Sequence, residues 1–274
     1  MPSLHTLYQK LGEPVLGIVS RFPYPIQRSA LRTFSEISRI CLQGEGNLES
    51  SWRQLEYIYQ NNPHNAPWHF LDHTILDMEG CAGARSRLHT VKSRLTSLSK
   101  KYAVVNGGVY ILDVGTGPGW YINEVVRDIG EECDIHATCI DQNKEAVKYA
   151  ITQAQKFNID GRVEFIHSEL RDHLSTTKQE YDIALLIGVL DYLPTPLGIR
   201  MLRYIRDRLK PGGTLLTSNM KEHNLKWAMD AVGWKLVYKD RDEVRNILEK
   251  AGLEDITTET EPEGAFVIAE GKRS

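Results

Sequence analysis

This sequence of 274 residues lacks most of the features that mark a specialised class of protein. Its four cysteines are scattered, without the spacing of a disulfide framework or a zinc site, which is typical of a reduced protein. No apolar run approaches the ~20 residues that a transmembrane helix needs, and the N-terminus shows no signal peptide. The net charge of −3 indicates no overall attraction to nucleic acid or to an anionic membrane. We therefore expect a soluble, cytoplasmic protein without a membrane span.

The most informative segment is a short apolar strand, Val109–Val114, that runs into a glycine-rich turn. Glycines lack a Cβ, so they adopt positive φ angles and let a ligand approach the backbone. A helix predicted to begin at Trp120 leaves free N–H groups at the same turn. The spacing also differs from the G-x-G-x-x-G of dinucleotide-binding proteins. An acid is followed by a glycine at every second position: Asp113, Gly115, Gly117 and Gly119.

A second apolar strand, 136–141, ends in Asp141. An acid at the end of the second strand of a nucleotide-binding α/β fold binds the two ribose hydroxyls. The alternative is that Asp141 caps the helix that follows, because Asp is common at that position. The glycine turn before this strand favours the ribose role.

Further strands alternate with segments of helical length, which predicts β-α-β units and a parallel sheet. A third strand, 162–167, leads into Ser168 and Glu169, which either contact a ligand or cap the next helix. A fourth strand covers 181–187. Lys210–Gly213 predicts a helix stop before a fifth strand at 214–218. Two closing strands, at 254–259 and 265–270, predict a hairpin with an antiparallel edge strand.

This ordered set of motifs resembles the class I S-adenosylmethionine (SAM)-dependent methyltransferases, from Val109 to the C-terminus. The resemblance implies an α/β, Rossmann-like fold with a mostly parallel seven-stranded sheet, helices on both faces and an N-terminal helical cap. It also implies SAM as the cofactor. The residues that it assigns to SAM binding are Asp113, Gly115, Thr116, Gly117, Pro118, Gly119, Asp141, Gln142, Ser168, Glu169, Leu170 and Gly188.

A finer resemblance connects parts of the chain with two groups of bacterial methyltransferases. Segment 85–95, the glycine motif and segment 234–244 together are similar to methyltransferases that are joined to α/β-hydrolase domains, and also to enzymes that methylate 3-hydroxy fatty acids. Gly188–Leu193 and Asn219 are similar to motifs of enzymes that methylate 3-hydroxy fatty acids. The resemblance implies a small acceptor, either lipid-like or a carboxylate. No Asn-Pro-Pro-Tyr element follows the fourth strand, which counts against N-methylation of adenine or glutamine.

Candidate catalytic residues follow the fourth and fifth strands, because ligands bind at the carboxyl ends of such strands. Asp191, Tyr192 and His223 are the candidates, and a hydroxyl acceptor would need one of them as a general base. Asp191 could instead cap a helix, and His223 could lie on an exposed helix. Aromatic and amide side chains predicted to contact the substrate are Trp120, Tyr121, Asn219 and Trp234.

The first hundred residues show helical spacing and no strand alternation. Helices are predicted over 29–42, 50–59 and 68–78. We interpret 1–100 as a helical N-terminal cap or extension and 101–274 as the SAM-binding core. A packing layer or an arm that forms a homodimer is the alternative.

His69 and His73 stand four positions apart, a spacing that places both on one face of a helix. With His64 nearby, a metal site is one interpretation, but the glutamate of a metalloprotease helix is missing. We predict no metal and favour a role in lining the acceptor pocket.

The segment 80–112 contains no acidic residue and six basic ones, and its apolar residues recur at helical spacing. A solvated basic helix face is the simplest interpretation. Arg85 or Arg87 could instead reach the methionine carboxylate of SAM. Binding of RNA is a third interpretation, although the interleaved aromatics that favour it are missing.

The sequence as a whole predicts a SAM-dependent methyltransferase that acts on a small molecule, with O- or carboxyl-methylation preferred. Nucleic acid is not expected as a partner. Two alternatives remain: an RNA methyltransferase that uses the basic helix at 85–101, and a methyltransferase-like interaction protein without activity.

Overall fold

The structure is a computed structural model, and it describes residues 4–43, 51–63, 69–223 and 226–274. The chain divides into two compact units. Unit 1 comprises Met1–Arg85, Glu222–Leu236 and Glu263–Ala265, and unit 2 comprises Ser86–Lys221, Val237–Pro262 and Phe266–Ser274.

The helices of the described part are α1 (Leu4–Val19), α2 (Tyr24–Phe34), α3 (Glu36–Gln43), α4 (Ser51–Gln60), α5 (Asp72–Ile75), α6 (Glu79–Asn106), α7 (Trp120–Ile129), α8 (Lys144–Lys156), α9 (Leu170–Thr176), α10 (Thr195–Arg206), α11 (Lys226–Ala231) and α12 (Arg241–Ala251). The strands are β1 (Val109–Val114), β2 (Ile135–Asp141), β3 (Val163–His167), β4 (Tyr181–Leu186), β5 (Leu209–Met220), β6 (Glu254–Thr260) and β7 (Phe266–Lys272). A short 3₁₀ turn covers Leu190–Tyr192.

Unit 2 is built on a seven-stranded sheet in the order β3-β2-β1-β4-β5-β7-β6. The first five strands pair in parallel, and β7 pairs antiparallel with both of its neighbours. Strand β4 is buried at every position, as expected for a central strand covered on both faces. The predicted class I fold is therefore confirmed.

Local sequence signals explain where the helices of unit 2 begin and end. The Asn143 side chain accepts hydrogen bonds from two N–H groups in the first turn of α8. Asp240 and Glu243 form a reciprocal capping box at the start of α12, and Gly252, with a φ of 83°, ends that helix.

The two closing strands form the predicted antiparallel hairpin at the edge of the sheet, where β7 lies between β5 and the edge strand β6. One detail of the predicted sheet is wrong. The helix before β5 ends at Arg206, and Lys210–Gly213 belongs to β5 itself, where the register against β4 shifts. The glycines there allow the irregular start of a strand, so they do not act as a helix stop.

Unit 1 is helical, as predicted, but its helices are interrupted differently. The predicted helix over 29–42 is broken at Ser35, whose backbone is extended. Buried Asp72 explains this break, because its carboxylate accepts hydrogen bonds from the Ser35 hydroxyl, the Glu36 N–H and the Tyr57 hydroxyl. One carboxylate thus links α2, α3, α4 and α5.

The predicted domain boundary at residue 100 differs from the division of the structure. Helix α6 is continuous over 28 residues, and the two units divide within it, after Arg85. Segment 222–236 joins the helical unit, although it follows the fifth strand in sequence. No helix of the described residues is long and apolar enough to cross a membrane.

Candidate functional site

The glycine-rich turn lies between β1 and α7, and its backbone explains the repeated glycine. Gly115, Gly117 and Gly119 have φ angles of 70°, 56° and 71°. A Cβ on Gly115 would stand 2.2 Å from the Val189 side chain, and one on Gly119 would stand 3.1 Å from the Phe165 ring. Glycine is thus required both for the left-handed conformation and for the close packing.

Asp141 ends β2 beside this turn. One of its carboxylate oxygens accepts the Gly117 N–H and the other accepts the Asn143 N–H, each at 2.8 Å. Because Asn143 caps α8, the alternative that Asp141 is the helix cap is wrong. Each oxygen keeps a second lone pair that can accept a further hydrogen bond.

Asp113 lies beneath the turn and is fully buried. Burial, with a smaller contribution from the nearby Asp141 charge, raises the pKa of this carboxyl to about 7, against hydrogen bonds that lower it. The hydroxyl of Tyr121 donates one of those bonds, at 3.0 Å. Tyr121 therefore faces the core, and the prediction that it contacts the substrate is not supported. Its place in the first turn of α7 directs its side chain inward.

The end of β3 brings a third loop to the same edge of the sheet. The Ser168 N–H donates to the Asp141 carbonyl oxygen at 3.1 Å. Glu169 occupies the N-cap position of α9, but its side chain makes no capping bond there, and it is exposed. Leu170 packs partly against the core, whereas Gln142 is exposed.

A buried charged network lies at the carboxyl ends of β4 and β5. The Asp191 carboxylate is 3.5 Å from the Arg87 guanidinium, and both side chains are almost fully buried. Its other oxygen accepts the Met220 N–H at 2.6 Å. Burial raises the pKa of Asp191, against the opposing effect of the Arg87 charge.

Lys239 extends this network. Its ammonium group donates to the Leu190 carbonyl at 2.9 Å, the Asn219 side-chain oxygen at 3.1 Å and the Val237 carbonyl at 3.2 Å. All three donors of the ammonium are thus satisfied by oxygens. Burial lowers the pKa of this lysine, and the Asp191 charge opposes that effect. We call Arg87, Asp191, Asn219 and Lys239 the buried network.

Comparison with known proteins decides the family. The model of a methyltransferase domain matches residues 106–269, more than half of the chain. This chain belongs to the methyltransferase domain family. A ubiquinone biosynthesis O-methyltransferase from Salmonella typhimurium is 25% identical over 162 residues, which are 57% of this chain and 63% of that protein. The chain thus matches less than two thirds of the length of that relative.

Solved structures share the fold of the methyltransferase. A Bordetella parapertussis protein, described as a possible exported protein, has a TM-score of 0.69 at 16% identity, over 81% of this chain and 79% of that one. Magnesium protoporphyrin IX methyltransferase from Synechocystis, solved with bound S-adenosylhomocysteine (SAH), has a TM-score of 0.53 at 18% identity, over 72% and 85%. At these identities the likeness shows the fold alone.

Several predicted site residues of the methyltransferase are already engaged within the protein. Asn219 is fully buried, and its amide donates to the Met220 and Val237 carbonyls, so the predicted substrate contact is not supported. Asp191 is held by Arg87 and by a backbone N–H, which leaves it poorly placed to act as a base. Tyr192 lies next to it and is partly exposed.

Both arginines that were predicted to reach the methionine carboxylate of SAM lie close to an acid of this chain. Arg87 pairs with Asp191, lies 4.4 Å over the Phe266 ring and faces Gly188. Arg85 belongs to unit 1, where its guanidinium is 3.9 Å from the Asp77 carboxylate. The geometry therefore assigns Arg87 to the buried network.

His69 and His73, which were predicted to line the acceptor pocket, lie in unit 1. His69 and His73 are not on one helix, because α5 begins only at Asp72. The His69 ring is 3.6 Å from the Glu36 carboxylate, and His73 packs 5.0 Å from the Tyr8 ring. The described ranges contain no group of three His, Cys, Asp or Glu that could hold a metal. His64 lies outside the described residues.

His223 and Trp234 also belong to unit 1. His223 is buried, and burial lowers its pKa, against the opposing effect of the Glu222 charge. Trp234 is partly exposed, as is Trp120 at the start of α7 in unit 2.

The basic helix face of α6 is largely neutralised by acids of unit 2. Lys92 pairs with Glu124. Arg94 pairs with Glu259 at 2.8 Å, and Lys100 with Glu132 at 2.7 Å. These acids lie outside α6, so the basic segment 80–112 taken by itself gave no sign of the pairing.

Sequence reasoning missed Lys239 entirely and did not anticipate that Arg87 pairs with Asp191. Lys239 precedes a helix cap in a mixed segment, and its partners at 190 and 219 are remote in sequence. The sequence offered only a weak signal. Asn219 stands near the end of an apolar strand, and Lys239 precedes a helix. Only the fold brings them together.

Proposed function

We propose that this chain transfers a methyl group from SAM to an oxygen atom of a small-molecule acceptor. The observation that carries the proposal is the pairing of the three-glycine turn with Asp141, whose carboxylate is fixed by two backbone N–H groups. Membership of the methyltransferase domain family supports it.

The residues present fit this cofactor. At Gly115 and Gly119 a Cβ would crowd the Val189 and Phe165 side chains, so the turn keeps a bare backbone there, and Asp141 has lone pairs free for the ribose hydroxyls. Ser168–Leu170 and Gly188 are the remaining residues proposed to contact it. They follow β3 and β4, so the sheet brings them to the same edge.

When bound, SAM supplies an electrophilic methyl group on a positively charged sulfur. The task of the chain is then to hold the acceptor in line with that methyl, and such positioning can contribute about 7–11 kcal/mol. The buried network supports this task, because it holds the loop after β4 rigidly against the end of β5.

Whether Asp191 is available as a general base affects which kind of acceptor the chain can methylate. A hydroxyl acceptor needs a general base, whereas a carboxylate is already nucleophilic. Because Asp191 is engaged by Arg87 and Met220, Tyr192 is the proposed base that remains in unit 2, and the role of His223 stays a prediction from the sequence. A carboxylate or an acidic hydroxyl would need neither. The name of the Salmonella relative, an O-methyltransferase of ubiquinone biosynthesis, supports an oxygen acceptor.

Methyl transfer can be tested by incubating the purified protein with methyl-labelled SAM and a bacterial lysate. The label is then measured separately in an acidified organic extract, in RNA and in the protein pellet. Label in the organic phase that is lost in mild base supports a carboxyl ester, and base-stable label supports an ether. Label confined to RNA or protein contradicts the proposal.

Binding of SAH by calorimetry provides a separate control. Failure to bind would favour an interaction protein without activity, whereas binding without transfer would point to a missing acceptor. The Asp141→Ala variant should lose both binding and transfer.

A further inference from the structure

The turn that joins α1 to α2 exposes several large apolar side chains. All six residues from Arg21 to Ile26 are exposed, and we call them the α1–α2 tip. Phe22, Tyr24 and Ile26 are 46%, 53% and 50% exposed. Single exposed apolar residues are ordinary, but a cluster of aromatic and aliphatic side chains at one turn marks an interaction site.

The tip is held in shape by a buried side chain. Gln27 is 5% exposed, and its amide donates to the Ser20 carbonyl at 3.1 Å and the Phe22 carbonyl at 2.8 Å. The Ile26 N–H donates to the Pro23 carbonyl at 2.9 Å. Two prolines restrict the backbone further. The apolar side chains are therefore presented outward by an ordered turn, which lowers the entropy lost on docking.

Helix α1 continues this apolar surface. Leu7, Leu11, Pro14 and Ile18 follow one another at spacings of four, three and four, so they share one face of the helix. All four are exposed, whereas Leu16 and Val19 are buried. A helix that is apolar on both sides needs a second apolar environment beyond the core of its own unit.

The charges around this surface are mostly positive, because Lys10 and Glu13, both exposed on α1, offset each other and three arginines follow. No acidic residue occurs from 14 to 35, whereas Arg21, Arg28 and Arg32 are all exposed there. The chain as a whole has a net charge of −3, so this basic segment stands apart from the rest. Pairing the surface with a second copy of itself through a two-fold axis would bring these arginines together, which disfavours a homodimer at this position.

We infer that the α1–α2 tip and the exposed face of α1 dock on an anionic lipid membrane. Aromatic and aliphatic side chains beside arginines are the composition that lies at the boundary between headgroups and acyl chains. Negatively charged headgroups complement the three arginines. The net charge alone predicted no attraction to such a membrane, but docking depends on the local charge. No membrane-spanning segment is involved.

Lipid docking can be measured without SAM or an acceptor, so its outcome is independent of the proposed methyl transfer. The full-length protein is floated with vesicles of phosphatidylcholine alone and with vesicles in which a third of the lipid is phosphatidylglycerol. We expect binding to the anionic vesicles that weakens as salt rises. Each arginine removed should lower the partition coefficient about fivefold.

Two variants test the two parts of the surface. Phe22→Ser with Ile26→Ser removes apolar side chains, and Arg28→Gln with Arg32→Gln removes charge. The matched control is Leu197→Ser with Tyr204→Ser on α10, whose side chains are 43% and 47% exposed in unit 2. We expect both tip variants to lose binding and the control to keep it, with all circular dichroism spectra unchanged.

Three results would overturn the inference. The wild type could fail to bind anionic vesicles at low salt. The control could lose binding as much as the tip variants do. Light scattering could show that the tip variants dissociate a dimer, which would assign this surface to a second copy. If a tip variant fails to fold, the salt dependence of the wild type and the single variant Arg28→Gln still decide.

Discussion

The carboxyl edge of the sheet in unit 2 is built in two different ways. On the β1–β2 side, glycines and backbone N–H groups form the site, and Asp141 reaches Gly117 across only 24 positions of sequence. On the β4–β5 side, charged side chains are packed into the interior, and Arg87 reaches Asp191 across more than 100 positions. We propose that the first side leaves space for the cofactor, whereas the second side fills space and holds a loop.

The two sides therefore differ in what a substitution does. A substitution on the β1–β2 side should change the free energy of unfolding little but remove contacts to the ligand. A buried ion pair behaves in the opposite way, because removing one partner leaves an uncompensated charge in the core. Unfolding and ligand-binding measurements on the same variants separate the two roles.

The largest effect is expected at the buried network. Arg87→Met and Asp191→Asn should each lower the free energy of unfolding by about 3–5 kcal/mol, because each leaves one charge unpaired. The double variant should lose much less than the sum, since neither member of the pair then faces an absent partner and Lys239 keeps its three oxygen acceptors. Urea unfolding measures all three, and the affinity of the folded variants for SAH should change little.

An exposed pair in the same unit is the matched control. Arg94→Met and Glu259→Gln should each cost less than about 1 kcal/mol, because solvent screens that pair. If the effects at Arg87 and Asp191 simply add, the two residues are not coupled and the contrast between the two sides fails.

The next effect concerns ligand affinity on the β1–β2 side. Asp141→Ala should weaken SAH binding by about 100-fold or more, because two hydrogen bonds to a charged carboxylate are lost. Titration calorimetry measures the change, and Asp128→Ala, an exposed acid on α7, serves as the control. A loss smaller than about tenfold would mean that the ribose does not contact Asp141.

The last effect is spread over several pH units and concerns Asp113, a buried acid beneath the glycine turn. Its pKa is raised from 3.8 to about 7 by burial, so the folded state binds a proton more tightly than the unfolded state. Its contribution to stability is full below about pH 4 and is lost as the pH rises through about 7, by up to about 1.4 kcal/mol per pH unit.

Asp113→Asn removes this titration, so its free energy of unfolding should fall less steeply over that pH window. Urea unfolding of both proteins at a series of pH values tests the prediction. Equal slopes would show that Asp113 is ionised in the folded protein at acidic pH.

Much of the fold could be predicted from the sequence because its signals are local. The strands β1 to β4, the glycine turn and Asp141 are each recognised from fewer than about ten neighbouring residues. The closing strands were also predicted, but their order in the sheet was not. Strand order depends on which edge the hairpin joins, and no local residue determines that choice.

The candidate site was predicted in part for the same reason. Asp141 and the glycines are defined by spacing along the chain. Tyr121 and Asn219 were expected to contact the substrate, but both are directed into the core. Strand and helix periodicity place a residue on a face, yet which face is buried depends on elements far away in sequence.

Composition and local pattern thus determined the class of this protein: an α/β sheet, a glycine turn after the first strand, and an acid at the end of the second strand. The tertiary structure alone decided that Arg87 pairs with Asp191 and that Lys239 holds the ends of β4 and β5 together. It also decided that the basic face of α6 is neutralised by acids on other elements. The physical reason is that a buried charge needs a partner within a few ångströms, and folding brings that partner from any distance along the chain.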